Sequence, residues 1–204
     1  MKRFLAASLF IFFFAISAHA APVKARPATG IGLLVIRSSL SPGQDTPPLL
    51  VLYREPGVGR IAEFSSSAIP LLSRMLALPS GEYPVAVLGK KGTWLRIAYD
   101  EAGREGWLEP LRGWDYVTWS EFLPGHSARL LPGLKKPFYV IMRQPADTAV
   151  EISGISPETA FRILEVKESW ARIESAAVSG WLRWQDSDGR FLISRTVRNE
   201  QQKD

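Results

Sequence analysis

Short segments in which apolar and polar residues alternate recur along the chain and predict β-strands. In residues 161–166, Phe161, Ile163 and Glu165 point to one side and the residues between them to the other, which is the period that a strand imposes. Apolar runs at 33–36 and 49–52 predict two more strands, separated by a Pro-rich turn at 41–48. With 15 Pro and 16 Gly in 204 residues, long helices are disfavoured, and the pattern predicts an all-β fold.

The chain contains an internal repeat. The sequence W-L-R-I at 94–97 recurs as W-A-R-I at 170–173, and G-W-L at 106–108 recurs at 180–182. Repeats of this kind indicate that one supersecondary unit occurs twice. The two tryptophans are 13 residues apart in the first copy and 11 in the second, and we place the difference in the turn between two strands.

A weaker sequence similarity is present upstream of each copy. Tyr53 and Arg54 precede a Pro, as do Met142 and Arg143. From Arg to the first Trp the first copy has 13 more residues than the second, and we assign these to an insert at about 65–77. The insert is expected to form one short helix or an ordered loop.

In the order of its motifs along the sequence, the chain resembles the bacterial SH3-like (SH3b) domain family of exported and cell-wall-associated proteins. The resemblance rests on an R-x-P turn at 54–56 and 143–145, followed by W-x-R-I and G-W-L strands, all present twice. It implies two small SH3-like β-barrels in tandem, each with a binding role rather than a catalytic one. The predicted organisation is a signal peptide at 1–20, a lead-in with a possible first strand at 21–48, domain 1 at 49–111, an aromatic connector at 112–136, domain 2 at 137–194 and a charged tail at 195–204.

The tryptophans of the repeat have two possible roles, in the core or on a binding surface. Trp107 and Trp181 each lie between Gly and Leu in a strand, which favours core or near-core packing. The glycine before each allows a bulge or a close backbone approach at a barrel corner. Trp94 and Trp170 are evenly balanced between the two roles, because an Arg two positions later shares their face of the strand. The candidate ligand-binding residues are Trp94, Arg96, Trp170, Arg172, Tyr53, Arg54 and Arg143.

The connector is too apolar for an open linker. The spacing of Trp119, Phe122 and Leu123 predicts one or two helical turns packed between the barrels, with Thr118 or Ser120 near the start. Such packing would hold the two domains as one rigid unit. The alternative is an aromatic platform for a sugar or a protein, with Trp114, Tyr116 and Trp119 as the candidate partner-binding residues.

The N-terminus has the pattern of a secretory signal. Lys2 and Arg3 precede an apolar run at 4–16, and a small-x-small cleavage site follows at 18–20. The apolar run is shorter than a membrane-spanning helix, although an uncleaved anchor is the alternative. We therefore expect an exported protein, periplasmic or extracellular, without a transmembrane segment in the mature chain. Removal of 1–20 lowers the net charge from +5 to +3, and without a clustered basic stripe nucleic acid is not an expected partner.

Catalytic and metal-binding patterns are weak. Cysteine is absent and only two histidines occur, so we expect no metal and no cofactor. The Gly/Lys run at 89–92 predicts a hairpin turn rather than a phosphate site, and D-S-D-G at 186–189 predicts a turn rather than a calcium loop. Acidic side chains that could pair for glycoside cleavage are Glu101, Glu105, Glu109, Asp115 and Glu121, but a solvated surface is the simpler interpretation.

These features favour a non-enzymatic binding module of the cell envelope. The first hypothesis is recognition of cell-wall peptidoglycan peptide through surface aromatic and Arg side chains. The second is a protein-interaction or scaffolding subunit that docks on an envelope protein through the connector and the insert, and it predicts loss of partner binding on Trp114→Ala or Trp119→Ala. A hydrolase of unrecognised type is the remote alternative.

Overall fold

The computed structural model describes residues 26–37, 48–66, 69, 72–76, 78–79, 81–100 and 102–195. The predicted signal segment at 1–20, most of the turn at 41–48 and residues 196–204 of the predicted tail lie outside this part of the chain. The strands form two seven-stranded antiparallel sheets, one after the other along the chain. The prediction of an all-β fold with two tandem β units is therefore confirmed. No helix within the described ranges is long and apolar enough to cross a membrane.

The first sheet uses strands from the N-terminal half. They are β1 (Gly32–Arg37), β2 (Leu49–Glu55), β3 (Val58–Ser65), β4 (Glu82–Lys91), β5 (Trp94–Ala98), β6 (Glu105–Leu108) and β7 (Asp115–Thr118). Their order across the sheet is β3-β2-β6-β5-β4-β1-β7. The insert at 65–77 contains one short helix, α1 (Ser73–Leu76), whose Leu76 is buried.

The second sheet repeats this arrangement. Its strands are β8 (Ser127–Leu130), β9 (Val140–Met142), β10 (Glu151–Gly154), β11 (Phe161–Lys167), β12 (Trp170–Glu174), β13 (Ser179–Arg183) and β14 (Ile193–Arg195). Their order is β10-β9-β13-β12-β11-β8-β14, which matches the first sheet strand for strand. The structural repeat thus includes a first and a last strand in each copy, beyond the segments in which the sequence motifs recur.

The predicted connector at 112–136 contributes to both sheets. It holds β7, the last strand of the first sheet, and β8, the first strand of the second. Between them lies α2 (Trp119–Phe122), which begins after Thr118. The Glu121 carboxylate accepts hydrogen bonds from the Thr118 backbone N–H (2.9 Å) and hydroxyl (2.8 Å), which fixes the start of this helical turn.

The strand β1 is buried on both faces because it belongs to two cores. Leu34 and Ile36 lie in the core of the first sheet, whereas Leu33 and Val35 lie in a larger cluster with residues of the second sheet. Alternate residues of a strand face opposite sides, so a continuous apolar run fits a strand covered on both sides. One strand therefore joins the two halves.

The residues before β1 also reach the second sheet. Ala28 forms a β-bridge with Arg190, and the Thr29 backbone N–H donates to the Gly189 carbonyl (2.8 Å). The Trp119 indole N–H donates to the Thr29 carbonyl at 2.9 Å. The start of the described chain is thus tied to residues near its end.

An aromatic cluster centred on Trp119 fills the junction. The ring of Trp119 lies 5.6 Å from that of Trp184 and 5.2 Å from that of Phe191, measured between centroids. All three side chains are buried in the cluster that also contains Leu33 and Val35 of β1. Packing of this kind brings residues of both sheets together in the larger of the two hydrophobic clusters.

Candidate functional site

One row of side chains crosses three neighbouring strands of the first sheet. Tyr53 of β2 pairs with Trp107 of β6, and Trp107 pairs with Arg96 of β5. Residues that pair directly across antiparallel strands project from the same face of a sheet. Their strand neighbours Leu52 and Leu108 are buried on the other face, so the row projects away from the core.

Trp94 belongs to the same face, since it precedes Arg96 by two residues in β5. Its ring meets that of Tyr53 edge to face, with centroids 5.4 Å apart. The Arg96 guanidinium carbon lies 5.8 Å from the centre of the Trp107 ring, a cation–π distance. We call Tyr53, Trp94, Arg96 and Trp107 the outer-face patch. The three aromatic side chains of the patch are half-buried, so each presents part of its ring to solvent.

Arg96 is the charged centre of the outer-face patch. Its Nη1 forms an ion pair with Glu105 Oε2 at 3.1 Å, and both side chains are 42% exposed. Its Nε has no hydrogen-bond partner among the described residues and lies above Gly89, where an added Cβ would sit 3.1 Å from it. Glycine at position 89 therefore lets the guanidinium lie flat on the sheet, with donor capacity that Glu105 does not use.

The second sheet has a corresponding row with a different composition. Met142 pairs with Trp181, and Trp181 pairs with Arg172, which in turn pairs with Glu165. Arg172 and Glu165 are both about half exposed and form an ion pair at 3.5 Å. Met142 takes the place of Tyr53, so the Tyr–Trp edge contact of the first sheet has no counterpart in this row.

Trp170, which corresponds to Trp94, is covered by its own chain. The guanidinium of Arg183 lies 4.6 Å from the centre of the Trp170 ring. Arg183 is held there by Asp147, whose Oδ1 accepts a hydrogen bond from Nε at 2.9 Å and whose Oδ2 pairs with Nη2. Only 7% of Trp170 remains exposed, so the candidate ligand-binding role of this residue does not fit the structure.

Arg54 and Arg143 do not join the outer-face patch. Arg54 follows Tyr53 in β2 and therefore projects from the other face, at the exposed end of the strand. Arg143 lies just beyond β9, where its side chain is exposed and its backbone N–H donates to the Val150 carbonyl.

Trp107 and Trp181 lie outside both core clusters of the described residues, so core packing, one half of the prediction of core or near-core packing, does not hold. In each G-W-L strand it is the Gly and the Leu that face the core, and the Trp between them is half-buried on the outer face. The predicted close approach lies at the glycine itself: a Cβ at Gly180 would sit 2.5 Å from Ile141 Cγ2. The alternation of side chains along the strand could have predicted the outward position of Trp107. Trp107 and the buried Leu108 are adjacent, so they must point to opposite faces of the sheet.

The connector aromatics are engaged in packing. Trp119 is 5% exposed beneath Trp184 and Phe191, so it offers no open surface to a partner. Trp114 is half-buried and donates its indole N–H to the Arg37 carbonyl at 3.3 Å. Tyr116 is half-buried with the Lys90 ammonium 5.0 Å from its ring centre. These contacts favour the packed connector over the aromatic platform.

The acidic candidates do not converge on one site. Among those described, Glu105 pairs with Arg96, Asp115 pairs with Arg37, and Glu121 caps α2. Glu109 lies 3.4 Å from the Thr93 hydroxyl, and Glu101 falls outside the described residues. Within the described ranges no three His, Cys, Asp or Glu side chains form a group that could hold a metal ion.

The D-S-D-G segment forms a turn. Asp186 Oδ1 accepts the backbone N–H groups of Asp188 (3.0 Å) and Arg190 (2.9 Å), and Oδ2 pairs with Arg26. Burial alone would raise the pKa of Asp186, but these hydrogen bonds outweigh it and hold the pKa below its usual value. The Asp186 carboxylate thus stabilises the turn, and its ion pair with Arg26 holds the residues before β1 against the second sheet.

His126 is held at the junction between the sheets. Its Nδ1–H donates to the Phe122 carbonyl at 2.7 Å, and its ring stacks on that of Phe122 with centroids 5.2 Å apart. Burial, followed by the positive charge of Arg195, lowers the pKa of His126 below its usual value. The neutral imidazole is therefore the form that fits the folded protein.

Acidification is expected to destabilise the protein through His126. Because the pKa is lower in the folded state, the unfolded chain binds the proton first as the pH falls below about 6.5. The stability that depends on a neutral His126 is fully present above the unfolded-state pKa, and it is lost as the pH falls through the folded-state pKa. Urea midpoints measured from pH 7.5 to pH 5 should fall more steeply for the wild type than for His126→Gln. Parallel curves for the two proteins would contradict the assignment.

Comparisons with known proteins give distant structural neighbours. NlpC2 from Trichomonas vaginalis shares 10% identity and a TM-score of 0.34 over 87% of this chain and 52% of that chain. NlpC1 from the same organism shares 11% identity and a TM-score of 0.32 over 83% and 53%. The endolysin LysPBC5 CBD shares 11% identity and a TM-score of 0.24 over 85% of this chain and 100% of that chain. The chain spans about half the length of the two NlpC chains. No family model and no curated protein matches it.

Proposed function

We propose that this protein is a non-catalytic binding module of the bacterial cell envelope and that the outer-face patch recognises the peptide part of cell-wall peptidoglycan. The observation that carries the proposal is the convergence of Tyr53, Trp94, Arg96 and Trp107 on one exposed face of three neighbouring strands. These residues do not serve the core, which lies on the other side of the sheet.

The chemistry of the patch suits a polymer that carries both apolar and anionic groups. Partly exposed aromatic rings bury the hydrocarbon surfaces of sugars and peptides at low entropic cost. Arginine binds carboxylates through two parallel hydrogen bonds, and the Arg96 side chain is 42% exposed although its Nε is buried. Peptidoglycan stem peptides present carboxylates beside glycan, so they match both kinds of group.

A binding role is favoured over catalysis by the positions of the acidic residues. The carboxylates of Glu105 and Asp115 are each engaged by an Arg, and that of Glu121 caps a helical turn. A general acid needs a perturbed environment and an open approach to the substrate, which these ion pairs do not provide. Export to the periplasm or the medium, proposed from the N-terminal sequence, would bring the module to the wall.

The proposal is tested by co-sedimentation of the purified protein with peptidoglycan sacculi at moderate salt. Trp94→Ala and Arg96→Ala are each expected to weaken binding about tenfold, the loss of roughly 1.4 kcal/mol that a central contact residue typically contributes. Arg172→Ala is the matched control, because Arg172 occupies the same position in the second repeat and should leave binding unchanged. Moderate salt suppresses non-specific attraction between a basic protein and an anionic polymer.

The outcomes separate the two functional hypotheses. Equal losses for Arg96→Ala and Arg172→Ala would indicate charge attraction without a defined site, and would contradict the proposal. An absence of wild-type protein from the pellet would direct the search to envelope proteins as partners.

A further inference from the structure

The two copies of the repeat differ at the position opposite their first tryptophan. In the second sheet Trp170 pairs directly with Arg183. In the first sheet the pairing of Leu95 with Leu108 places Glu109, the next residue, opposite Trp94. A basic residue in one copy is therefore replaced by an acidic residue in the other.

The second sheet supplies a cation to its own tryptophan. Arg183 lies over the Trp170 ring and is fixed by two contacts with Asp147. Trp170 is buried although it lies outside both core clusters of the described residues, and Arg183 covers one face of its ring. The arrangement is a complete cation–π site with the cation built in.

The first sheet has the same ring without the built-in cation. The cation–π contacts of the described residues include Trp170 but not Trp94. The hairpin after β2 is shorter than the loop that carries Asp147, since Glu55 already pairs with Val58, whereas β9 ends at Met142 and β10 begins only at Glu151. The neighbours of Trp94 are instead the edge of Tyr53, the cross-strand partner Lys91, and Glu109, whose exposed carboxylate accepts a hydrogen bond from the Thr93 hydroxyl at 3.4 Å.

We propose that Trp94 of the first sheet binds a cation of the ligand, at the position where Trp170 of the second sheet binds the guanidinium of Arg183. The ligand group is a primary ammonium of a peptide, bound on the Trp94 ring beside Tyr53 with Glu109 as its counter-charge. This inference rests on the proposed function, which it deepens by naming the ligand group at one end of the outer-face patch. Only the first copy binds, because the equivalent surface of the second copy is already occupied by Arg183.

The position of Arg96 fits the same ligand. It lies two residues beyond Trp94, a separation of about 7 Å along a strand. An ammonium on Trp94 and a carboxylate on Arg96 would therefore be held together by a peptide that carries both charges a few bonds apart. Amino acids with a free side-chain amine next to a free carboxylate have this form.

The first test compares native sacculi with sacculi whose free amines have been acetylated. Acetylation is expected to weaken binding about five- to thirty-fold. Since it also makes the wall more negative, non-specific attraction to this basic protein would instead become stronger. If both preparations bind equally while Trp94→Ala still weakens binding about tenfold, the ammonium site is overturned and the proposed function stands.

The second test observes the site directly and does not depend on sacculi. In an NMR titration with the N-terminally acetylated peptide acetyl-Ala-Lys-Ala, whose only ammonium is that of the lysine side chain, the indole N–H resonance of Trp94, identified with Trp94→Phe, should shift, and that of Trp170 should not. The Nε-acetyl form of the peptide should shift neither. An unmoved Trp94 resonance, or equal shifts with the acetylated peptide, would overturn the inference even if the wall is bound by other means.

Exchange variants use the repeat as its own control. Glu109→Arg places a guanidinium opposite Trp94 and removes the counter-charge, so it should abolish the Trp94 shift, and the milder Glu109→Gln should reduce it. Arg183→Glu removes the cover and should make the Trp170 resonance respond to the peptide. All three changes lie on the outer face, and the far-ultraviolet circular dichroism spectrum checks that each variant is folded. A full Trp94 response in Glu109→Arg would contradict the proposed site.

Discussion

Replacing Trp119 by alanine is expected to lower the free energy of unfolding by about 3–5 kcal/mol, the usual cost of removing a large buried aromatic side chain. Trp119 contacts Trp184 and Phe191 and donates a hydrogen bond to Thr29, so its loss leaves a cavity at the junction of the sheets. Urea denaturation followed by circular dichroism measures the change.

The neighbouring Trp114→Ala is the control for this prediction. Trp114 is half-buried and packs against the core of the first sheet alone, so its replacement should cost about 1–2 kcal/mol. The wild type is expected to unfold in one transition, because one hydrophobic cluster includes residues of both sheets. Two separate wild-type transitions, or equal costs for the two variants, would contradict this description of the junction.

Gly180→Ala is expected to destabilise the protein by about 3 kcal/mol through steric overlap. A Cβ at this position would lie 2.5 Å from Ile141 Cγ2 and 2.9 Å from the Met142 carbonyl oxygen. The second contact involves the backbone of a neighbouring strand, so a change of rotamer does not relieve it. The shift in the urea midpoint at constant m-value reports the effect.

The first copy again provides the matched variant. In Gly106→Ala the nearest atom would be Leu52 Cβ at 3.3 Å, a tight contact that a small movement relieves. The lower entropy of alanine in the unfolded chain offsets part of this cost, and the net change should stay within about 1 kcal/mol. Equal destabilisation by the two substitutions would show that close approach at position 180 is not the cause.

Local patterns in the sequence predict much of the fold. Alternation predicts a strand at 161–166 and apolar runs predict strands at 33–36 and 49–52, which the structure extends to β11, β1 and β2, and the W-x-R-I and G-W-L motifs fall on matching strands of the two sheets. Helical spacing in the connector and the polar residue before it predicted α2. These features depend on residues close together in the chain, so sequence periodicity reveals them.

The candidate site was predictable only in part. The repeated motifs identify Tyr53, Trp94 and Arg96 as candidates, but they place Trp107 in or near the core, because it lies between Gly and Leu in a strand. The cover over Trp170 depends on Asp147 and Arg183, which are 36 residues apart, and no local pattern indicates that they meet. The pairing of Arg26 with Asp186 spans 160 residues and is beyond local prediction for the same reason.

The double-faced burial of β1 constrains the order in which the molecule can fold. Leu33 and Val35 emerge early in synthesis, but the residues that cover them include Phe191 and Leu192 near the end of the described chain. Until those residues are available, one side of an otherwise paired strand exposes apolar surface to water. The final packing step therefore requires contacts between distant parts of the sequence, which slows folding relative to two self-contained units. A fragment ending at residue 118 would retain this bare surface permanently and is expected to aggregate where the whole chain does not.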